Sequence, residues 1–164
     1  MNPCPCGYFG APGGLCECPE ETVRRYQAKI SGPLLDRFDL FVPLGRISFD
    51  EVRGCTPGLS TEELLSSVSD ARAFRRKRLE DYGRKSFVQA GESPERIEMS
   101  PEAQNLARRA MEKRKWSARR VAKLLRVART IADFSKHARV EVPDVAEAMA
   151  FRHRSFREAS QGYV

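Results

Sequence analysis

Four of the chain's five cysteines lie within its first eighteen residues, as Cys4-Pro5-Cys6 and Cys16-Glu17-Cys18; the fifth, Cys55, stands apart. A secreted disulfide scaffold would spread its cysteines to staple distant loops, whereas clustering at one end points to a local metal clip in a reducing compartment. Between the pairs, Gly7, Gly10, Gly13 and Gly14 supply a pliant loop, so the two pairs can converge on one ion. Four thiolates suit tetrahedral zinc and close its coordination shell, which makes Cys4, Cys6, Cys16 and Cys18 candidate ligands of a structural Zn2+. Unliganded thiols and a sequence-local disulfide are the alternatives that the spacing leaves open.

The other residues with chemical potential are arginines. In Ser31-Gly32-Pro33-Leu34-Leu35-Asp36-Arg37-Phe38-Asp39, a single Arg37 follows a stiff Gly-Pro turn. Its planar, permanently charged fork could be presented to phosphate oxygens on a neighbouring subunit; an intramolecular pair with Asp36 or Asp39 is the plainer alternative. Between positions 108 and 129 stand ten Lys or Arg and one acid, Glu112. There Arg119, Lys123 and Arg126 share a helical face opposite Val121, Leu124, Leu125 and Ala128, a face able to meet phosphates or simply to be solvated. Arg119 lies in the first turn after Ser117, where backbone amides already favour an anion. The cluster Arg75-Arg76-Lys77-Arg78 reads as a basic solvent face.

No G-x-x-x-x-G-K-[ST], G-x-G-x-x-G or H-E-x-x-H occurs in the chain, and His137 and His153 are isolated. A complete catalytic site is therefore not visible. The 164 residues, 41% apolar and 31% charged, fit a soluble globular protein; the net charge of +7 leaves an anionic partner open, nucleic acid or nucleotide phosphate, beside a basic surface that is only solvated. No apolar run approaches the roughly 20 residues that span a bilayer, so the reading places the chain in the cytoplasm with no membrane partner.

The elements that must position these groups are mostly helices. After the Gly- and Cys-rich start, residues 20–30 carry Val23, Tyr26 and Ile30 at helical spacing, with Glu20 and Glu21 at the amino end. Phe38-Asp39-Leu40-Phe41-Val42-Pro43-Leu44 is apolar and partly alternating, and predicts a strand closed by Pro43. A mixed connection follows. A helix capped by Ser60 or Thr61 should run to about Gly83, with a loop over residues 89–98. Ser100-Pro101-Glu102 opens the next helix, with Leu106, Ala110 and Met111 as its stripe. Trp116-Ser117 ends that helix and starts another; 140–142 are short and extended; Pro143-Asp144 opens the last helix.

Taken together, Asn2-Pro3-Cys4-Pro5-Cys6-Gly7, the second cysteine pair, the Ser31–Leu40 motif, Ser117-Ala118-Arg119 and Leu125-Arg126-Val127-Ala128-Arg129-Thr130-Ile131-Ala132-Asp133-Phe134 fall in an order that resembles the C-terminal part of the magnesium-chelatase-like AAA+ ATPases of the ComM/YifB family. The resemblance covers nearly the whole chain. It implies a mainly α fold: the end of an α/β AAA+ core (one strand, zinc-type loop and helix, residues 1–45), a linker (46–60), a four-helix AAA+ lid (61–157) and a tail (158–164). It implies that the chain begins inside the core, without the P-loop, the Walker B acids or the family's Lon-protease-like domain, and so would not hydrolyse ATP alone.

In that setting Asn2 is similar to the sensor-1 residue that orients water near the γ-phosphate. Arg37 resembles the arginine finger that reaches a neighbour's ATP, and Arg119 the sensor-2 arginine presented by the lid. The implied cofactors are ATP with Mg2+ in the complete protein and structural Zn2+. The implied partners are identical subunits in a hexameric ring and DNA, remodelled by helicase or branch-migration activity in natural transformation. A chelatase-type motor acting on a protein, and a stand-alone zinc-bearing helical module binding nucleic acid, are the alternatives.

Overall fold

The computed structural model describes residues 2–11, 13–42, 44–45, 47, 49–54, 58–81 and 93–152. The predicted helix end near Gly83, residues 89–92 of the 89–98 loop, Pro43, Cys55, His153 and the 158–164 tail lie outside them. The chain divides into two units, residues 1–54 with 152–164, and residues 55–151.

The first unit holds three helices among its described residues: α1 (Glu20–Gln27), α2 (Gly32–Leu35) and α3 (Phe49–Arg53). Glu20 and Glu21 occupy the first turn of α1 and Arg24 and Arg25 its last, an arrangement that suits the helix dipole. Only Val23 of α1 is buried. Gln27 then donates to the carbonyl of Pro3 at 2.9 Å, tying α1 to the cysteine loop. At α2 the Ser31 hydroxyl accepts from the Leu34 amide at 3.3 Å, and Pro33 sits in the first turn, where its missing N–H costs nothing.

The predicted strand over residues 38–44 does not form: no strand is present among the described residues of this segment. Alternating side chains are only half of what a strand needs; the other half is a neighbouring backbone to receive its hydrogen bonds. Instead the buried Arg152 guanidinium donates to the carbonyls of Phe38 and Asp39, at 3.4 and 3.1 Å. The Phe38 ring meets Phe41 edge-on, with centroids 5.9 Å apart. Leu40, Val42 and Leu44 remain exposed.

The second unit is a helical bundle: α4 (Thr61–Asp81), a single 3-10 turn (Pro94–Arg96), α5 (Pro101–Arg114), α6 (Ala118–Phe134) and α7 (Val142–Ala150). Each start is capped by a residue suited to it. Ser60 and Glu63 exchange hydrogen bonds, Glu63 N–H to Ser60 Oγ at 3.2 Å and Ser60 N–H to Glu63 Oε2 at 2.7 Å, a reciprocal capping box. Ser100 and Ser117 cap α5 and α6 through the Ala103 and Arg120 amides. Before α7, the buried Asp144 carboxylate takes the Glu141 amide and the His137 ring nitrogen. One isolated parallel bridge, Met99 to Val140, pins the lead-in of α5 beside that of α7.

Helix α6 is the hub, packing against α4, α7 and the 3-10 turn. Leu124, Ala128 and Ala132 on its inner face are fully enclosed, as are Val140, Val145 and Ala148. The buried stripe of α5 is Ala103, Ala107 and Ala110 with partly buried Leu106; Met111, assigned to the stripe from spacing, lies outside the core and is 39% exposed. Alanines on a contact face let helices approach closely, so α5 and α7 can pack tightly into the bundle.

The basic cluster in α4 is a solvent face only in part: Arg76 and Lys77 are exposed, but Arg78 is not. Arg78 is buried and grips Asp133 of α6 with two hydrogen bonds, Nε to Oδ1 at 3.0 Å and Nη2 to Oδ2 at 3.3 Å. Arg129, one turn earlier on α6, reaches the same Oδ1 at 2.9 Å and the carbonyls of His137 and Ala138 at 2.6 and 3.0 Å. Neither arginine belongs to a solvent face. Removing one member of such a buried charge group leaves the others unpaired and costs about 3–5 kcal/mol. Asp133→Ala should therefore destabilise the chain by that amount in urea unfolding, similar to Leu124→Ala at about 2–5 kcal/mol. A loss under about 1 kcal/mol for Asp133→Ala would show that the pair is solvated.

Candidate functional site

The cysteine loop has the geometry of a metal clip. The four sulfurs lie within 4.8 Å of one another. Cys4 Sγ is 3.2 Å from Cys6 Sγ and 3.7 Å from Cys16 Sγ, and Cys6 to Cys16 is also 3.7 Å. A tetrahedron with zinc–sulfur bonds of about 2.3 Å places its sulfurs about 3.8 Å apart, so the observed spacing fits one ion. All four are free cysteines in the structure. The loop is turned by local backbone bonds: Gly7 N–H to the Cys4 carbonyl at 3.1 Å, with Gly7 at φ +80°, where a Cβ is disfavoured. The Phe9 amide donates to Cys4 Sγ at 3.3 Å, orienting the buried thiol of the set.

Crowding four sulfurs together splits their acidities. The Tyr8 amide and the Cys4 thiol, both donating to Cys6, lower its pKa to about 6. Cys16 also receives a backbone hydrogen bond, from Cys18, but desolvation and the Cys6 and Cys4 sulfurs outweigh it and push it up to about 12. Cys18 is raised as well, for the same reasons. One thiolate forms easily and the next ones are resisted, a conflict that a divalent cation removes.

The remaining site residues are distributed over the two units. Asn2 is exposed beside the clip; a Cβ built on Gly7 would sit 3.6 Å from its Nδ2. Arg37 is exposed in the turn that closes α2, its amide bonded to the Leu34 carbonyl at 2.9 Å. Asn2 and Arg37 both belong to the first unit. Arg119 belongs to the second, exposed at the second position of α6, just past the Ser117 cap. Lys123 is half-buried and Arg126 exposed, while Leu124 and Ala128 on the other face are buried, in keeping with the predicted two-faced helix. Residue types alone did not reveal Arg152, which holds the segment after Arg37. No local spacing signals a contact between positions 152 and 38.

These features fall within a recognised family. The C-terminal family model of magnesium chelatase subunit ChlI matches residues 58–152, and the magnesium chelatase subunit ChlI model matches residues 1–52. The chain belongs to the magnesium chelatase ChlI family. It is 32% identical to an uncharacterised protein of Mycobacterium tuberculosis over 95% of this chain and 31% of that protein. It is also 28% identical to competence protein ComM of Haemophilus influenzae and 29% identical to YifB of Escherichia coli, each over 93% of this chain and 29% of the relative. The chain thus spans about a third of the length of the curated relatives it matches. Among the described residues, no helix is long and apolar enough to cross a membrane.

The clip makes a direct prediction. Chain purified under reducing, chelator-free conditions should carry about one zinc per chain by elemental analysis. Cys16→Ser should lose most of it, and a metal-free wild-type chain would refute the clip.

Proposed function

We propose that this chain supplies the subunit-interface and lid residues of a ring-forming, cytoplasmic AAA+ ATP hydrolase that remodels DNA. The observation that carries the reading is Arg37, exposed at the end of a capped, proline-stiffened turn inside the segment matched by the ChlI family. The turn fixes the backbone that carries Arg37, and its planar, permanently charged fork suits bidentate docking on phosphate. In the ring, Arg37 would donate two parallel N–H bonds to the γ-phosphate of the adjacent subunit's ATP and stabilise charge that develops as the bond breaks. Arg119, backed by the capped start of α6, would hold phosphate oxygens from the lid side. Asn2 would orient the attacking water by hydrogen bonding.

Zinc held by Cys4, Cys6, Cys16 and Cys18 would supply rigidity and no bond-making step, because four thiolates close its shell. Their loop carries Asn2 on its flank, so a fixed loop fixes the position of that amide. The P-loop and Mg2+-binding acids for ATP would come from the part of the relatives that this chain does not span. The name of the Haemophilus relative, competence protein ComM, supports a role in competence; DNA as the remodelled substrate is part of the proposal. The family's description as magnesium chelatase favours a second reading, a chelatase-type motor, whose remodelled partner would be a protein; DNA-stimulated hydrolysis separates the two.

In a ring that joins this segment to a P-loop-bearing core, Arg37→Ala should lower the hydrolysis rate by about 10³-fold or more, with nucleotide affinity changed only a few-fold. Arg37→Lys should restore little, since an ammonium cannot make the paired contact. Hydrolysis that survives Arg37→Ala would remove the finger assignment.

A further inference from the structure

The chain's charge is not evenly spread. Residues 108–120 carry seven cations, Arg108, Arg109, Lys113, Arg114, Lys115, Arg119 and Arg120, against the single acid Glu112. That is a net +6 in thirteen residues, set against +7 for the whole chain. All seven are exposed except Arg120, which is half-buried.

These cations sit on a stiff corner. Helix α5 stops at Lys115, in the left-handed conformation at φ +49°, and the Lys115 and Trp116 amides bond back to the carbonyls of Glu112 and Met111 at 3.3 and 3.1 Å. Ser117 then caps α6 at once. Trp116 is buried beneath the corner, with the Arg114 guanidinium 5.4 Å from its ring centroid. Two helices joined by a three-residue turn thus carry exposed cations on both sides of the buried Trp116.

We infer that this α5–α6 corner is a docking site for the phosphodiester backbone of a nucleic-acid duplex, and that it binds without regard to base sequence and without ATP. The composition of the corner decides among polyanions. Its one exposed large apolar side chain is Met111, too little to anchor a bilayer surface or an acidic peptide's apolar residues. Its one aromatic residue, Trp116, is buried and offers no platform on which unpaired bases could stack, which disfavours single strands. What remains is charge, on a ridge whose Arg109 and Lys113 stand one helical turn apart, about 6 Å along the axis. A duplex, with one negative charge per roughly 1.7 Å of its length, is the partner that charge alone can hold. The inference rests on the nucleic-acid half of the functional reading and is independent of ATP hydrolysis. Arg119 is left to the nucleotide, and the test uses only cations that the ATPase reading does not employ.

The experiment is fluorescence anisotropy of the 164-residue chain with a labelled DNA duplex, an RNA duplex and a DNA single strand, each about 25 nucleotides long, over a salt series. Anionic phosphatidylserine vesicles and polyglutamate serve as non-nucleic polyanions. The expected result is duplex binding without ATP whose log–log salt slope reflects several displaced counterions. The triple variant Arg108→Gln, Arg109→Gln, Lys113→Gln should weaken it about tenfold or more near 100 mM salt and flatten the slope by about 2.7. A control triple, Arg72→Gln, Arg76→Gln, Lys77→Gln, removes the same charge from the exposed face of α4 and should change binding less than about twofold. Circular dichroism melts confirm that both variants fold.

Equal losses from the two triples would reduce the effect to bulk charge and overturn the site. So would a preference for the single strand, or equal binding to vesicles or polyglutamate. The DNA and RNA arms tell which duplex is preferred. Loss of hydrolysis on Arg37→Ala in the ring stands or falls separately.

Discussion

The Asp133 carboxylate holds the second unit together. It lies buried on α6 and is shared by Arg78 of α4 and Arg129 of α6. Two cations around one anion leave an excess positive charge, and the carbonyls of His137 and Ala138 help absorb it by accepting from Arg129. The same contacts set where α6 ends, because they draw the turn after Phe134 back against the helix. From there the chain passes to Val140, which makes the bridge to Met99, and to Asp144, which caps α7. The clamp therefore fixes α4, the α6–α7 turn and the start of α7 at once. Buried charge groups of this kind add little net stability over an apolar core, but they tolerate very few alternative arrangements.

That constraint governs what the opposite end of α6 can do. A helix held rigidly at its C-terminal end presents its N-terminal end in a defined direction, and Arg119, Arg120 and the Lys115 turn all ride on that end. Both the nucleotide role proposed for Arg119 and the duplex role proposed for the corner need positively charged groups at fixed spacing. A frayed helix would spread the same charge over many positions and lose the entropy of ordering it on contact.

The first unit uses a different device. It has few buried apolar side chains among its described residues, with Val23 and Cys4 the ones enclosed. A core of that size does not order fifty residues by itself. The four-cysteine loop, the Gln27 bond to Pro3 and the Arg152 grip on Phe38 and Asp39 replace packing with specific links. Exposed Leu40, Val42 and Leu44 show how much apolar surface this unit still offers to other protein.

Much of this was legible in the residues. The cysteine cluster was evident because metal ligands act through type and local spacing, and both pairs lie close in sequence. Ser60, Ser100 and Ser117 marked helix starts because a cap bonds an amide only three residues on, and the Trp116 break was readable for similar reasons. The family resemblance, carried by long motifs such as the one around Arg37, survived comparison with known relatives. Three features were decided only by tertiary structure. The alternation of residues 38–44 promised a strand that required a neighbouring backbone; Arg78 read as a solvent cation until Asp133 was seen beside it; Arg152 gave no sign of its bond to Phe38. For Arg78 and Arg152 the deciding partner lies far away in the chain, and for residues 38–44 no partner strand is present among the described residues. Interactions that close within one turn of helix or one loop can be read from sequence, whereas the burial of a charge and the pairing of a strand depend on which distant segment arrives beside them.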